Sequence, residues 1–328
     1  MERNSEISYI TDDSVRIKVN NDCQWTCTFC HNEGTELPAN QTKRSSVFLD
    51  YERIELPTVG NMPSSVEVLD QVSELQSIGI TNVHLTGGEP TLHPDIVKIV
   101  SSLTERGFNT KMTSNGQTRP RIIEDLANAG LSGITFSILS LDPKEFLKTQ
   151  HIQSEQWAQM MIDREKRNIL LARDLGIDVK INTVVLGEFD YPRVDTVRKF
   201  AQENGIKLVL LPSLEDKEES QPAVFDYAEK HGTEVGGFEH PNNSKGSRSY
   251  SSPEGSKFDA KYIREYHPDV ICNGCELRGT NDCYEKFYGI RMEFRENSPY
   301  IRLCIQKTNE KTVMPLETFL EEDIISQL

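Results

Sequence analysis

No run of apolar residues in this 328-residue chain approaches the roughly 20 needed to span a bilayer. Residues 1–10 are polar and contain no apolar core of a signal peptide, so the expected setting is cytoplasmic, with no membrane partner. Positive charge is also scarce: 36 Lys and Arg stand against 51 Asp and Glu, a formal net charge of -15. Such a surface repels nucleic acid and anionic lipid, so any phosphate the chain binds must meet a local basic pocket. Internal repeats and coiled-coil heptads are absent. Cysteine is missing altogether between Cys30 and Cys272.

The seven cysteines that are present form two groups: Cys23, Cys27 and Cys30, then Cys272, Cys275, Cys283 and Cys304. In a reducing compartment such groups bind metal or carry chemistry more often than they form disulfides. A chain of this length buries a substantial core without staples, so metal at either group would serve chemistry rather than folding.

Short β-branched or apolar runs alternate with amphipathic stretches. Strands are expected at 15–19, 82–85, 109–112, 133–138, 178–185 and 206–211, and helices at 64–78, 94–106, 119–129, 157–175 and 194–203. This alternation predicts right-handed βαβ units and a parallel sheet, an α/β fold best read as a partial (β/α)6 barrel of the TIM type. Two stretches break the rhythm, a polar insertion at 32–63 and a Gly- and Ser-rich stretch at 213–256 with a charged run at 215–219. The second is expected to be a linker or lid between a barrel core at 1–212 and a C-terminal domain at 257–328. A hairpin at 290–294 and 300–305 and a helix at 315–325 should close the chain.

Cys23-Gln24-Trp25-Thr26-Cys27-Thr28-Phe29-Cys30 sets three thiols within eight residues directly after the first expected strand. A cubane cluster normally takes four cysteines, and three leave one iron open to a small molecule. A zinc site with His31 as fourth ligand, or a chance run of buried thiols, is the alternative reading. The spacing, with Phe29 before the third cysteine, resembles the signature of the radical S-adenosylmethionine (SAM) superfamily. That resemblance implies a [4Fe-4S] cluster whose open iron is chelated by SAM, an external one-electron reductant such as flavodoxin or ferredoxin, and a 5′-deoxyadenosyl radical as the reactive species.

In a β/α barrel the active site forms at the carboxyl ends of the strands, and polar residues or glycine recur there. The second strand ends in Gly87-Gly88-Glu89-Pro90, which resembles the superfamily's Gly-Gly-Glu-Pro motif and implies contacts to the SAM ammonium. Ser114 and Asn115 follow the third strand, Ser137 lies in the fourth, Asn182 in the fifth and Leu211 near the end of the sixth. By resemblance these residues meet the SAM carboxylate, ribose and adenine. Taken singly each has a plainer reading, as a turn or a backbone-satisfied polar group.

Cys272, Cys275, Cys283 and Cys304 would suit a second, auxiliary [4Fe-4S] cluster, a structural zinc or free core thiols. The chain is similar to the GTP 3′,8-cyclases of molybdenum cofactor biosynthesis, from Arg16-Ile17-Lys18-Val19 to Ile301-Arg302-Leu303-Cys304. That likeness implies an auxiliary cluster beside the substrate, with Arg16, Arg278, Arg291 and Arg302 as substrate-binding cations suited to phosphate and purine carbonyls. Three features depart from the cyclase pattern: 279–289 reads as an insertion that brings Cys283, Leu139 stands where Asp is usual, and a terminal Gly-Gly is not found. A four-cysteine cluster would be closed to substrate; a Cys283 left out of it could instead return a hydrogen atom to a product radical. The expectation is a radical SAM enzyme acting on a small polar nucleotide, nucleoside or sugar. A peptide-modifying enzyme with a Cys-rich extension and a non-catalytic metal-binding module are the alternatives.

Overall fold

The computed structural model describes residues 7–9, 11–25, 27, 30, 57–148, 154–214, 217–322 and 324–328. After β1 (Ile7–Tyr9) come β2 (Ser14–Lys18), the short β3 (Val59–Gly60), α1 (Val66–Ser73), β4 (Asn82–Thr86), α2 (Ile96–Glu105), β5 (Asn109–Ser114) and α3 (Pro120–Asn128). The barrel continues through β6 (Gly133–Ser137), α4 (Pro143–Lys148), α5 (Glu155–Asp174), β7 (Asp178–Val185), α6 (Tyr191–Glu203) and β8 (Lys207–Pro212). The chain ends with α7 (Lys217–His231), β9 (Thr233–Glu239), β10 (Lys245–Ser251), β11 (Lys257–Ile263), α8 (Asp269–Cys272), β12 (Ile290–Arg295), β13 (Ser298–Arg302), β14 (Val313–Pro315) and α9 (Leu316–Glu321).

The six expected barrel strands are all present and parallel, in the spatial order β2-β4-β5-β6-β7-β8. Val15, Ile17, Leu85, Met112, Phe136, Ile181 and Leu210 from these strands are buried. Alternation along each strand leaves the intervening residues to the other face. The helices are cut to length by local chemistry: Ser65 caps α1 by accepting from the Val68 amide, and Ser154 caps α5 by accepting from that of Trp157.

The expected linker or lid at 213–256 is not a loop: its described part folds as α7 and the antiparallel pair β9–β10. α7 buries Ala223, Val224, Tyr227 and Ala228, and Tyr250 stacks on Phe258 with ring centroids 5.5 Å apart. Polar composition misled here because the layer has only one buried face. β11 then pairs in parallel with β8, and β12 pairs in parallel with β2. The later elements therefore extend the barrel sheet at both edges, and the chain from β11 to β12, which holds Cys272, Cys275 and Cys283, runs from one edge to the other. The closing hairpin and helix appear as β12–β13 and α9. Most of the 32–63 insertion lies outside the described residues.

Candidate active site

A cavity of about 310 Å³ opens at the carboxyl ends of the barrel strands. Cys23, Cys27, Cys30, Gly87, Gly88, Glu89, Ser114, Asn115, Ser137, Asn182 and Leu211 all line it. Pro90 is buried behind them at the start of a 3-10 turn, and Phe29 lies outside the described residues.

The two glycines serve a close approach of backbone to backbone. A Cβ on Gly87 would run into Asn20, and one on Gly88 into the Asp22 carbonyl. The Gly88 and Glu89 amides donate to the carbonyls of Asn20 (3.1 Å) and Asp22 (2.7 Å), so this turn carries the strand that enters the cysteine loop. Glu89 is buried, and its carboxylate accepts from Thr91 N (3.1 Å), Thr91 Oγ1 (2.7 Å), Ser114 Oγ (2.9 Å) and Asn115 N (2.6 Å). Burial pushes this carboxyl above its usual value and the hydrogen bonds oppose the shift. Glu89 thereby ties the end of β4 to the end of β5.

From β5 the network continues to the first cysteine. Asn115 Nδ2 donates to Cys23 Sγ at 3.8 Å, and the Trp25 amide donates to the same sulfur at 3.4 Å. The loop is held from below by a small apolar cluster containing Trp25, Leu139, Phe146 and Ile162, against which Cys23 and Cys27 pack. Trp25 meets Phe146 edge to face at 5.3 Å. Leu139, which departs from the cyclase pattern, is apolar because it belongs to this cluster.

The cavity is also lined by residues that no sequence motif marked. Lys261 and Tyr262 of β11, with Glu285 and Tyr288, join Arg16 there. Glu285 is paired with Arg291. Lys261 has no carboxylate partner among the described residues, and Lys245 lies 5.2 Å from the centroid of the Tyr288 ring. Burial alone would push the Tyr288 phenol up, but Lys261, Lys245 and Arg16 together hold it below its usual value. A chain of net charge -15 thus builds a positive corner at one point of its cavity.

None of the other arginines singled out in the sequence lines this cavity, although Arg291 lies beside it, opposite Arg16 in the β2–β12 register and 5.9 Å from the Tyr288 ring centroid. Arg291 and Arg302 are buried and form ion pairs with Glu285 and Glu293. Arg278 pairs with Asp269 at 2.7 Å and lines a second cavity.

That second cavity, about 350 Å³, brings together Cys272, Cys275, Cys283 and Cys304. Burial pushes the Cys272 thiol up to about 12, and Cys304, Cys283 and Cys275 add to the shift, as expected of thiols close to one another. Cys283 is pushed up to about 11 by burial and by Cys304. It does not line the first cavity. Among the described residues no three His, Cys, Asp or Glu side chains are grouped to hold one metal ion. A cubane spreads its thiolates over four irons and tolerates wider spacing than a zinc ion.

The sequence profile of the Radical SAM superfamily matches residues 17–201. The chain belongs to the radical SAM superfamily. As a radical SAM enzyme it is similar to probable GTP 3′,8-cyclases: it is 29% identical to that of Pyrobaculum aerophilum over 188 residues, 57% of this chain and 52% of the relative. Against that of Pyrococcus abyssi it is 27% identical over 287 residues, 83% of both. The chain therefore spans about half the length of the first relative and most of the second. The crystal structure of Streptococcus suis SuiB bound to S-adenosylmethionine shares the fold, with a TM-score of 0.53 at 18% identity, covering 90% of this chain and 60% of that one. Superfamily membership brings a [4Fe-4S] cluster and SAM, and a cavity lined by three cysteines and by polar strand ends fits that pair. No helix among the described residues is long and apolar enough to cross a membrane.

Proposed function

We propose that this radical SAM enzyme acts on a small anionic substrate, a phosphorylated nucleoside or sugar, within cofactor or natural-product biosynthesis. The observation that carries the reading is that Arg16 and Lys261 line the same cavity as Cys23, Cys27 and Cys30 and, with Lys245, hold the Tyr288 phenol below its usual value. When bound, the cluster and SAM would supply radical chemistry, given one electron from a reductant such as flavodoxin or ferredoxin. Cys23, Cys27 and Cys30 would hold that cluster. Gly87, Gly88, Glu89, Ser114 and Asn115 would frame the SAM head group, Ser137 and Asn182 its ribose, and Leu211 one face of its adenine. Arg16 and Lys261 would fix the anionic group of the substrate, which orients the C–H bond from which a hydrogen atom is to be abstracted.

The second cavity supports an auxiliary [4Fe-4S] cluster held by Cys272, Cys275, Cys283 and Cys304. With four thiolate ligands it is closed, so it would exchange electrons rather than bind substrate, in contrast to an open auxiliary cluster. Cys283 would then be a ligand and not a hydrogen donor. Arg278 beside that cavity, and Arg291 and Arg302 in their ion pairs, would be structural.

The test is 5′-deoxyadenosine formation by anaerobically reconstituted protein with SAM and dithionite, against phosphorylated nucleosides (GTP among them), sugar phosphates and their dephosphorylated parents. Acceleration by anionic members alone, with Lys261→Met weakening their effect about tenfold, is the expected result. Equal acceleration by the neutral parents would overturn the substrate class.

A further inference from the structure

Glu165 lies on α5 with no exposed surface, and neither of its carboxyl oxygens has a hydrogen-bond partner among the described residues. It rests against the turn that follows β5: a Cβ on Gly116 would stand 3.2 Å from Glu165 Cγ. Two amide side chains join the same turn to α5. Asn168 Nδ2 donates to the carbonyls of Gly116 (2.8 Å) and Thr118 (2.9 Å), and Gln117 Nε2 donates to the Met161 carbonyl (3.0 Å). Both amides are buried, and the oxygen of each is unpartnered.

Donor arithmetic decides what these groups need. Turning either amide over would set its oxygen against a carbonyl, so both orientations are fixed. Four buried acceptor oxygens then remain, two on Glu165 and one each on Gln117 and Asn168, with no donor assigned to any of them. Each orphan costs about 1–3 kcal/mol, and an ionised carboxylate among them would cost more. A proton on Glu165 removes the charge and creates one donor where two acceptors wait.

We propose that Glu165 is held as a neutral carboxylic acid that donates its O–H to the amide oxygen of Gln117 or Asn168, and so positions the turn of Asn115, Gly116 and Gln117. Burial pushes this carboxyl well above its usual value, opposed by the neighbouring Lys166. The turn matters to the site because the Gln117 backbone N–H donates to Asn115 Oδ1 at 3.0 Å while Asn115 Nδ2 reaches Cys23. Glu165 is thus a positioning residue that touches neither cofactor nor substrate. Its effect on SAM rests on the function proposed above; its protonation does not.

Infrared difference spectra of wild type minus Glu165→Gln at neutral pH should carry the carbonyl band of an un-ionised carboxylic acid, shifted in heavy water. Carboxylate bands alone would overturn the proposal. Equilibrium SAM binding to the reconstituted protein supplies the second readout. Glu165→Gln, which keeps a donor, should bind SAM within about twofold of wild type, while Glu165→Leu should bind about tenfold more weakly, the cost of one buried hydrogen bond. A Gln variant as weak as the Leu variant, or a Leu variant equal to wild type, would overturn the positioning role. If Glu165→Leu does not fold, the infrared result and the Gln variant still decide. Wild type that fails to bind SAM would count against the proposed function and leave the infrared outcome intact.

Discussion

Asn115 donates its side-chain amide to the sulfur of Cys23 at 3.8 Å, while Glu89 accepts from the Asn115 backbone at 2.6 Å. Residues from the first three barrel strands and their loops are thereby joined in one network. The Gly-Gly-Glu segment thus supports the cysteine loop as well as facing the cavity.

That contact has a redox consequence. Hydrogen bonds to cluster sulfurs stabilise the more negative, reduced state. Asn115→Ala, which removes about 1 kcal/mol of such stabilisation, should lower the midpoint potential of the SAM cluster by roughly 40 mV, at 59 mV per tenfold for one electron. A potentiometric titration followed by electron paramagnetic resonance reads it; an unmoved potential would mean the amide contributes only to SAM binding.

Glu293 is flanked by Arg302 and Arg295, with contacts of 2.9 and 2.6 Å, and all three are buried. Burial alone would raise its carboxyl, but the two guanidiniums more than offset it and the folded value is depressed. Its contribution to stability is therefore present above the unfolded value of about 4.3 and is lost as pH falls through the folded value. Glu293→Gln should cost about 3–5 kcal/mol at neutral pH by stranding buried charge, and should flatten the acid limb of the thermal stability profile. A variant that melts like wild type at every pH would show that the triad contributes nothing net.

Cys283→Ala should remove about four irons per chain and leave SAM cleavage by dithionite in place. A full iron complement with lost turnover would return Cys283 to the role of hydrogen donor.

The barrel and the cysteine-lined part of the cavity were legible because they are written locally. Each β-branched run is followed by its own polar terminus, and the cysteines, the glycines and Asn115 sit within a few residues of a strand end. The rest of the cavity is not written that way. Lys261 and Tyr262 reach the cavity only because β11 pairs with β8, and Tyr288 only because the chain returns from there towards β12. The fold of 213–256 was hidden by a narrow buried stripe on α7, with Pro222 inside it and glutamates at its start. The ion pairs of Arg291 and Arg302 with buried acids are less plainly written. Glu293, two residues along β12 from Arg291, was the available signal, since alternation puts both on one face.

Cys23, Cys27 and Cys30 are proposed to hold the cluster that cleaves SAM. Anaerobically reconstituted Cys27→Ala, assayed for iron and for 5′-deoxyadenosine with SAM and dithionite, tests it most directly. The expected result is about four irons per chain, retained at the second cavity, and no 5′-deoxyadenosine; cleavage at the wild-type rate would show that these thiols do not hold the cluster.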